Sequence, residues 1–133
     1  MKWVAIPLAA ALVTGCAGSG SIYEWGGYQP ALNSYTKTGE TAQFETALLA
    51  TIAKGEEKGR VPPGVYAELG FLLFNTNRPA EAIIFFQREK DAFPESAVLM
   101  DRLILGAERA NEVDANVDGK VEIEAVEESD DAA

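Results

Sequence analysis

The stretch PGVYAELGFLLFNTNRPAEAIIFFQREKDAFPES, residues 63–96, decides the fold. Its apolar residues recur at the helical period instead of alternating, which predicts two helices. Asn75-Thr76-Asn77-Arg78-Pro79 reads as the turn between them. Pro79 suits the first position of the second helix, where its missing N–H costs nothing. Gly70 and Ala82 lack bulk, so the two helix backbones are expected to approach closely. Tyr66, Leu69, Leu73, Ile83 and Phe86 then fill the seam.

Working outward, residues 41–57 form an amphipathic pattern, with Phe44, Leu48, Leu49 and Ile52 at helical spacing. Thr38 or Thr41 is placed to cap its start, Gly59 stands where a helix ends, and Pro62-Pro63 opens the next element. After Pro94, Ser96 is placed to cap a helix through about residue 110. Val98, Leu99, Leu103, Ile104 and Ala107 are its expected buried stripe.

The spacing over 63–96 resembles a single tetratricopeptide repeat, a 34-residue helix–turn–helix. Counted from Pro63, Tyr66 stands at the aromatic position, Leu69-Gly70 at the leucine–glycine pair and Leu73 one turn on. Ala82 is the small residue of the second helix, Phe86 the large one a turn later, and Pro94 ends the unit. Glu89 departs from the pattern, standing where a small apolar residue is usual. The resemblance implies an all-α fold, a short array of four to five helices over residues 41–110. Helix 41–57 then takes the place of the second helix of a preceding repeat, and the helix after Ser96 that of the first helix of a following one. Such arrays need about three units to be stable. This chain falls short, so an open face must be covered by its own aromatic segment or by a partner.

That segment, residues 22–40, begins IYEWGGYQPALNSYTK. Tyr23, Trp25, Tyr28 and Tyr35 lie close together, Gly26-Gly27 makes a bend, and Pro30 suits the start of a short helix. Two readings stand: the rings pack on the helical body as an N-terminal cover, or they contact a partner, since Trp and Tyr are favoured anchors.

Residues 1–16, MKWVAIPLAAALVTGC, read as an address. Lys2 is a short positive region and residues 3–12 an apolar run. The run is too short to span a bilayer, which needs roughly 20 apolar residues. Val13-Thr14-Gly15-Cys16 resembles a bacterial lipobox: an aliphatic residue, two small ones, then the cysteine to be acylated. The resemblance implies that residues 1–15 are removed and that Cys16 becomes an N-terminus carrying diacylglycerol and a further acyl chain such as palmitate. Each buried methylene adds about 0.8 kcal/mol, and more than one chain gives stable anchoring. The alternative is an ordinary secretory signal cut just after an incidental Cys16. Residues 16–21 continue as a flexible linker. Ala17 in place of Asp favours the outer membrane by the enterobacterial sorting pattern.

Composition narrows the chemistry. The 133 residues contain no His and a single Cys, so the commonest general base is missing and no internal disulfide can form. The net charge is −10, and removal of residues 1–15, whose only charged residue is Lys2, makes it one more negative. Such a surface repels phosphate backbones, so nucleic acid is not an expected partner. No nucleophile motif or phosphate loop appears, and neither a catalytic set nor a cofactor beyond the lipid is expected. Residues 112–133 carry nine acidic residues and one basic, Lys120, which reads as a solvated disordered tail over 111–133. Within it Asp114, Asn116, Asp118, Gly119 and Glu122 follow the first part of a calcium loop. The twelfth position is Ala125 instead of the bidentate Glu, and no metal site is assigned.

The run Pro62-Pro63-Gly64-Val65-Tyr66-Ala67-Glu68-Leu69-Gly70, then Glu89-Lys90 and Phe93-Pro94-Glu95-Ser96, resembles a bacterial lipoprotein family of unknown function. The Tyr23-x-Trp25-Gly26-x-Tyr28 element fits it too. Members tend to be encoded beside lipoproteins similar to the curli secretion channel. The resemblance covers residues 16–110 and implies a periplasm-facing accessory of an outer-membrane assembly, with such a lipoprotein as a partner. The expectation is a non-enzymatic, lipid-anchored interaction module. Its candidate contact residues are Tyr23, Trp25, Tyr28, Glu68, Asn75, Arg78 and Arg102. The alternatives are a structural envelope lipoprotein and a weakly calcium-responsive module through residues 114–122.

Overall fold

The computed structural model describes residues 20–130, and beyond Val113 the course of the backbone. Among these residues there are five α-helices and no strand: α1 Tyr28–Thr38, α2 Thr41–Lys58, α3 Val65–Asn75, α4 Pro79–Ala92 and α5 Ala97–Asp130. A short 3-10 turn, Pro94–Ser96, joins α4 to α5. Each helix packs on the next in chain order. The core runs through the stack: Phe44, Leu48 and Ile52 from α2, Val65, Tyr66, Leu69, Leu72 and Leu73 from α3, Ala82 and Phe86 from α4, Met100 and Ala107 from α5.

The hairpin of α3 and α4 forms where the spacing predicts it, and small residues are what close it. A Cβ on Gly70 would stand 2.7 Å from the Phe86 ring and 3.2 Å from the Ala82 carbonyl. Nothing larger than hydrogen fits at that crossing. Tyr66, Leu69, Leu73 and Phe86 are buried in the seam, with Ile83 half-buried at its rim. Gly55 plays the same part where α2 meets the loop before α3, since a Cβ there would lie 2.8 Å from the Val61 backbone. Gly59 ends α2 in the left-handed conformation, φ 61°, which glycine adopts without penalty.

Some local expectations fail. Neither Thr38 nor Thr41 caps α2: Glu40 holds the cap position, and the Thr38 hydroxyl donates to the Ser34 carbonyl at 3.0 Å. Ser96 spends its hydroxyl on the Phe93 carbonyl at 2.8 Å and caps nothing. Leu49 is exposed. So are Val98 and Leu99, because α5 docks on α4 through Met100, Leu103, Ile104 and Ala107, a face turned away from them. Nor does α5 stop near residue 110. It continues as helix to Asp130, through the segment read as a disordered tail. That sequence holds no proline and alternates acidic residues with Ala and Val, which a helix accommodates. A calcium loop needs a non-helical turn that converges alternate residues, and a helix sends alternate residues to opposite sides. The backbone over Asp114, Asn116, Asp118 and Glu122 is helical.

Glu89, the departure from the repeat pattern, is only 3% exposed. Its Oε1 accepts the Gly64 N–H at 2.7 Å and its Oε2 the Ala67 N–H at 3.4 Å. Gly64 is the N-cap of α3, at φ 88°, and it has no side chain with which to cap its own helix. Across the hairpin, α4 supplies the missing carboxylate, which meets both the free N–H groups and the positive end of the helix dipole. Burial pushes the Glu89 carboxyl above the usual carboxylate range, and the hydrogen bonds from Gly64 and Ala67 act in the opposite direction.

Candidate partner-binding groove

α3 buries one side against α4 and part of another against α2. Residues 68, 71 and 75, spaced three and four apart, share the side that is left. α1 lies alongside it. The Tyr28 hydroxyl donates to Glu68 Oε2 at 2.6 Å, and the Tyr35 ring stacks on Phe44 at 4.6 Å and 8°. The Trp25 ring stands 5.4 Å from Tyr28, and the Thr51 hydroxyl reaches the Trp25 carbonyl at 3.5 Å. Burial, with the Glu68 carboxylate beside it, pushes the Tyr28 hydroxyl up to about 12. The phenol therefore stays protonated and remains a donor at any pH a cell presents.

Between α1 and α3 is a hollow of about 130 Å³ lined by Tyr35, Phe44, Glu68, Phe71, Leu72 and Asn75. Phe71 is 50% exposed, an aromatic ring at the lip of an apolar hollow. A carboxylate and a carboxamide stand on either side of it along α3. This arrangement suits an apolar side chain of a partner whose flanking N–H groups find acceptors in Glu68 and Asn75.

The structure brings Glu68 and Asn75 into this groove, with Tyr28 behind them as a brace. The other candidates lie elsewhere. Trp25 is half-buried as part of the cover. Tyr23 lines a second hollow, of about 310 Å³, with Ile22, Arg60, Val61, Tyr66 and Phe93. That hollow is a seat for the N-terminal segment: the Glu24 N–H donates to the Arg60 carbonyl at 2.9 Å, and Glu24 pairs with Lys58. The hydrogen bond from Lys58 holds the Glu24 carboxyl below the usual range. Arg78 is a clamp between helices, donating to Glu45 at 2.8 Å and to both oxygens of Glu81 at 2.7 Å. Arg102 is exposed on α5, remote in the helix order from α1 and α3. Cys16 lies outside the described residues. Sequence reasoning missed Phe71, and it placed Tyr35 in the aromatic segment without naming it as a contact candidate. The available signal was the Glu68, Phe71, Asn75 spacing on the side of α3 opposite Leu69 and Leu73.

The model of a protein family, described as a domain of unknown function (DUF4810), matches residues 22–103. The chain belongs to this family. Its DUF4810 domain takes in α1 to α4 and the first turns of α5, so the groove, the Tyr28–Glu68 brace and the Glu89 cap all lie inside it. The acidic half of α5 lies outside it. No curated protein and no solved structure matches the chain. Among the described residues, no helix is long and apolar enough to cross a membrane, and no group of three or more His, Cys, Asp or Glu is placed to hold a metal ion.

Proposed function

We propose that the protein is a non-enzymatic lipoprotein, anchored through Cys16 at the periplasmic side of the outer membrane, whose DUF4810 domain binds a protein partner in the α1–α3 groove. The observation that carries this reading is Phe71, a half-exposed ring at the lip of a hollow, flanked along one helix face by Glu68 and Asn75. The core does not need that ring, and a soluble domain gains nothing by leaving it bare. The tetratricopeptide-like spacing of 63–96 supports the same reading, since such arrays present helix faces to peptides and proteins. The lipobox-like residues 13–16 support the anchor, and the resemblance to lipoproteins encoded beside secretion channels supports a lipoprotein of that type as the partner.

The test is crosslinking in intact cells followed by capture of the full chain. A defined partner is expected with the native chain and with Ile84→Ala, which removes an exposed side chain of α4. It is expected to be lost with Phe71→Ala and with Asn75→Ala while the helical signal of both variants stays native. Retention of the same partner by both groove variants overturns the assignment of the site.

A further inference from the structure

The end of α2, the start of α3, the end of α4 and the start of α5 meet along one edge of the stack. The Tyr66 hydroxyl donates to Glu56 at 2.7 Å, which joins α2 to α3 there, and Lys90 Nζ donates to Asp101 at 2.5 Å, which joins α4 to α5. Gly59, Tyr66 and Phe93 line one hollow and link the two pairs. Three of the four most exposed large apolar side chains among the described residues stand at this edge: Ile22 at 74%, Val98 at 69% and Leu99 at 58%. Ile22 lines the same hollow, and Val98 and Leu99 belong to the first turn of α5. Side chains of a helix tilt toward its N-terminus, so these two lean outward past the edge. Neither the core nor the groove uses any of the three.

The chain enters the fold at this same edge. Arg60 Nη1 donates to the Ser21 carbonyl at 3.4 Å, the Glu24 N–H donates to the Arg60 carbonyl at 2.9 Å, and Lys58 pairs with Glu24. Cys16 stands five residues before Ser21 in the sequence. At about 3.5 Å per residue, the chain between them reaches about 18 Å at most. The groove lies toward the opposite edge, because α2 rises about 21 Å from Phe44, in the groove wall, to Lys58. We infer that the edge bearing Ile22, Val98 and Leu99 lies in the surface of the lipid bilayer and holds the α1–α3 groove away from it. The inference rests on the lipid anchor proposed for Cys16. An anchor that short keeps Ile22 within reach of the bilayer, and apolar side chains held there exchange water for lipid. Charge does not drive the contact. Lys58 pairs with Glu24, Arg88 with Glu56 and Lys90 with Asp101, so the basic groups of this edge are largely answered within the chain.

The experiment uses the lipidated full chain in vesicles of phosphatidylethanolamine and phosphatidylglycerol whose acyl chains carry a nitroxide quencher. With Cys16 acylated, Ile22→Cys, Leu99→Cys and Asn75→Cys each add the only free thiol, and each takes a fluorescent label. Quenching at positions 22 and 99 is expected to exceed that at 75 by about 5-fold or more, as for side chains seated in the headgroup and acyl boundary. It is expected to persist in about 1 M salt, which screens charge and leaves apolar contact intact. The double change Val98→Asp with Leu99→Asp is expected to cut the quenching at position 22 by about half or more, since two carboxylates resist leaving water. All these positions are exposed, and circular dichroism confirms that each variant keeps its helices. Equal quenching at 22, 99 and 75 on a chain that stays with the vesicles overturns the inference and leaves the anchor standing. Quenching that salt abolishes, or that the two aspartates do not reduce, overturns it too. Labels at 22 and 99 that lipid leaves unquenched, but that crosslink to a protein in intact cells, assign the edge to protein and overturn it as well. A chain that does not fractionate with the vesicles overturns the anchor, and the inference with it.

Discussion

Replacing Glu89 tests the most unusual feature of the fold. In Glu89→Ala the N–H groups of Gly64 and Ala67 lose the acceptors they hold at 2.7 and 3.4 Å. A buried donor left bare costs about 1–3 kcal/mol. Gly64 is exposed enough for water to replace part of its bond, so the lower end applies to it. Loss of the carboxylate at the helix N-terminus adds about 0.5 kcal/mol. Together these predict a destabilisation of about 2–3 kcal/mol, or roughly 10–15 °C in Tm for a domain of this size. Glu89→Gln keeps one acceptor oxygen and is expected to lose about 1 kcal/mol or less at neutral pH. The two variants also separate by pH. Burial raises the folded-state pKa of Glu89. Its contribution is therefore fully present below the ordinary carboxylate pKa and is lost as pH rises through the raised value. In urea titrations read by circular dichroism between about pH 4 and 8, the native chain is expected to gain on Glu89→Gln as pH falls. A native chain that gains on Glu89→Gln as pH rises would show that the Gly64 and Ala67 hydrogen bonds outweigh desolvation. A cost under about 0.5 kcal/mol for Glu89→Ala would refute the cap itself.

Gly70→Ala pushes a methyl against the buried Phe86 ring and the Ala82 carbonyl, and is expected to cost about 1–2 kcal/mol net of the alanine helix preference. Gly106→Ala has open space around it and is expected to stabilise by up to about 1 kcal/mol in the same urea assay. Tyr28→Phe removes the hydroxyl that donates to Glu68 at 2.6 Å, and is expected to cost about 1 kcal/mol, with faster amide exchange in α1. Cys16→Ser is expected to release the chain from membranes on fractionation with the helical signal unchanged; a variant that resists washing from the outer membrane counts against the lipid anchor.

The part of the fold legible in the sequence is the part governed by local spacing. Tyr66, Leu69 and Leu73, the turn with Pro79, and the small pair Gly70 and Ala82 define the α3–α4 hairpin with no knowledge of its neighbours. Val98 and Leu99 are apolar yet exposed, because local apolarity does not say which face of α5 meets α4. Met100 and Ala107 decide that, at positions set by packing against another helix. The acidic stretch reads as a solvated tail from its charge, yet charge density alone does not break a helix that lacks proline. At the groove, Glu68 and Asn75 were legible as exposed polar residues of α3. Phe71 was not, because a phenylalanine in an apolar run looks like core until α1 is seen to stop short of covering it.

Glu89 connects these observations. In a repeat array a small apolar residue at that position lets the next helix pack on α4. Here the position holds a carboxylate, and the residue it serves is Gly64, whose left-handed turn redirects the chain between α2 and α3 but supplies no cap. The turn and the departure from the pattern are two halves of one solution, read 25 residues apart in sequence. The consequence is a helical stack with unequal ends. At one end Trp25 and, from α1, Tyr28 and Tyr35 pack against α2 and α3, with the groove at Phe71 beside them. At the other end Val98, Leu99 and Leu105, on the outer face of α5, are exposed among the described residues.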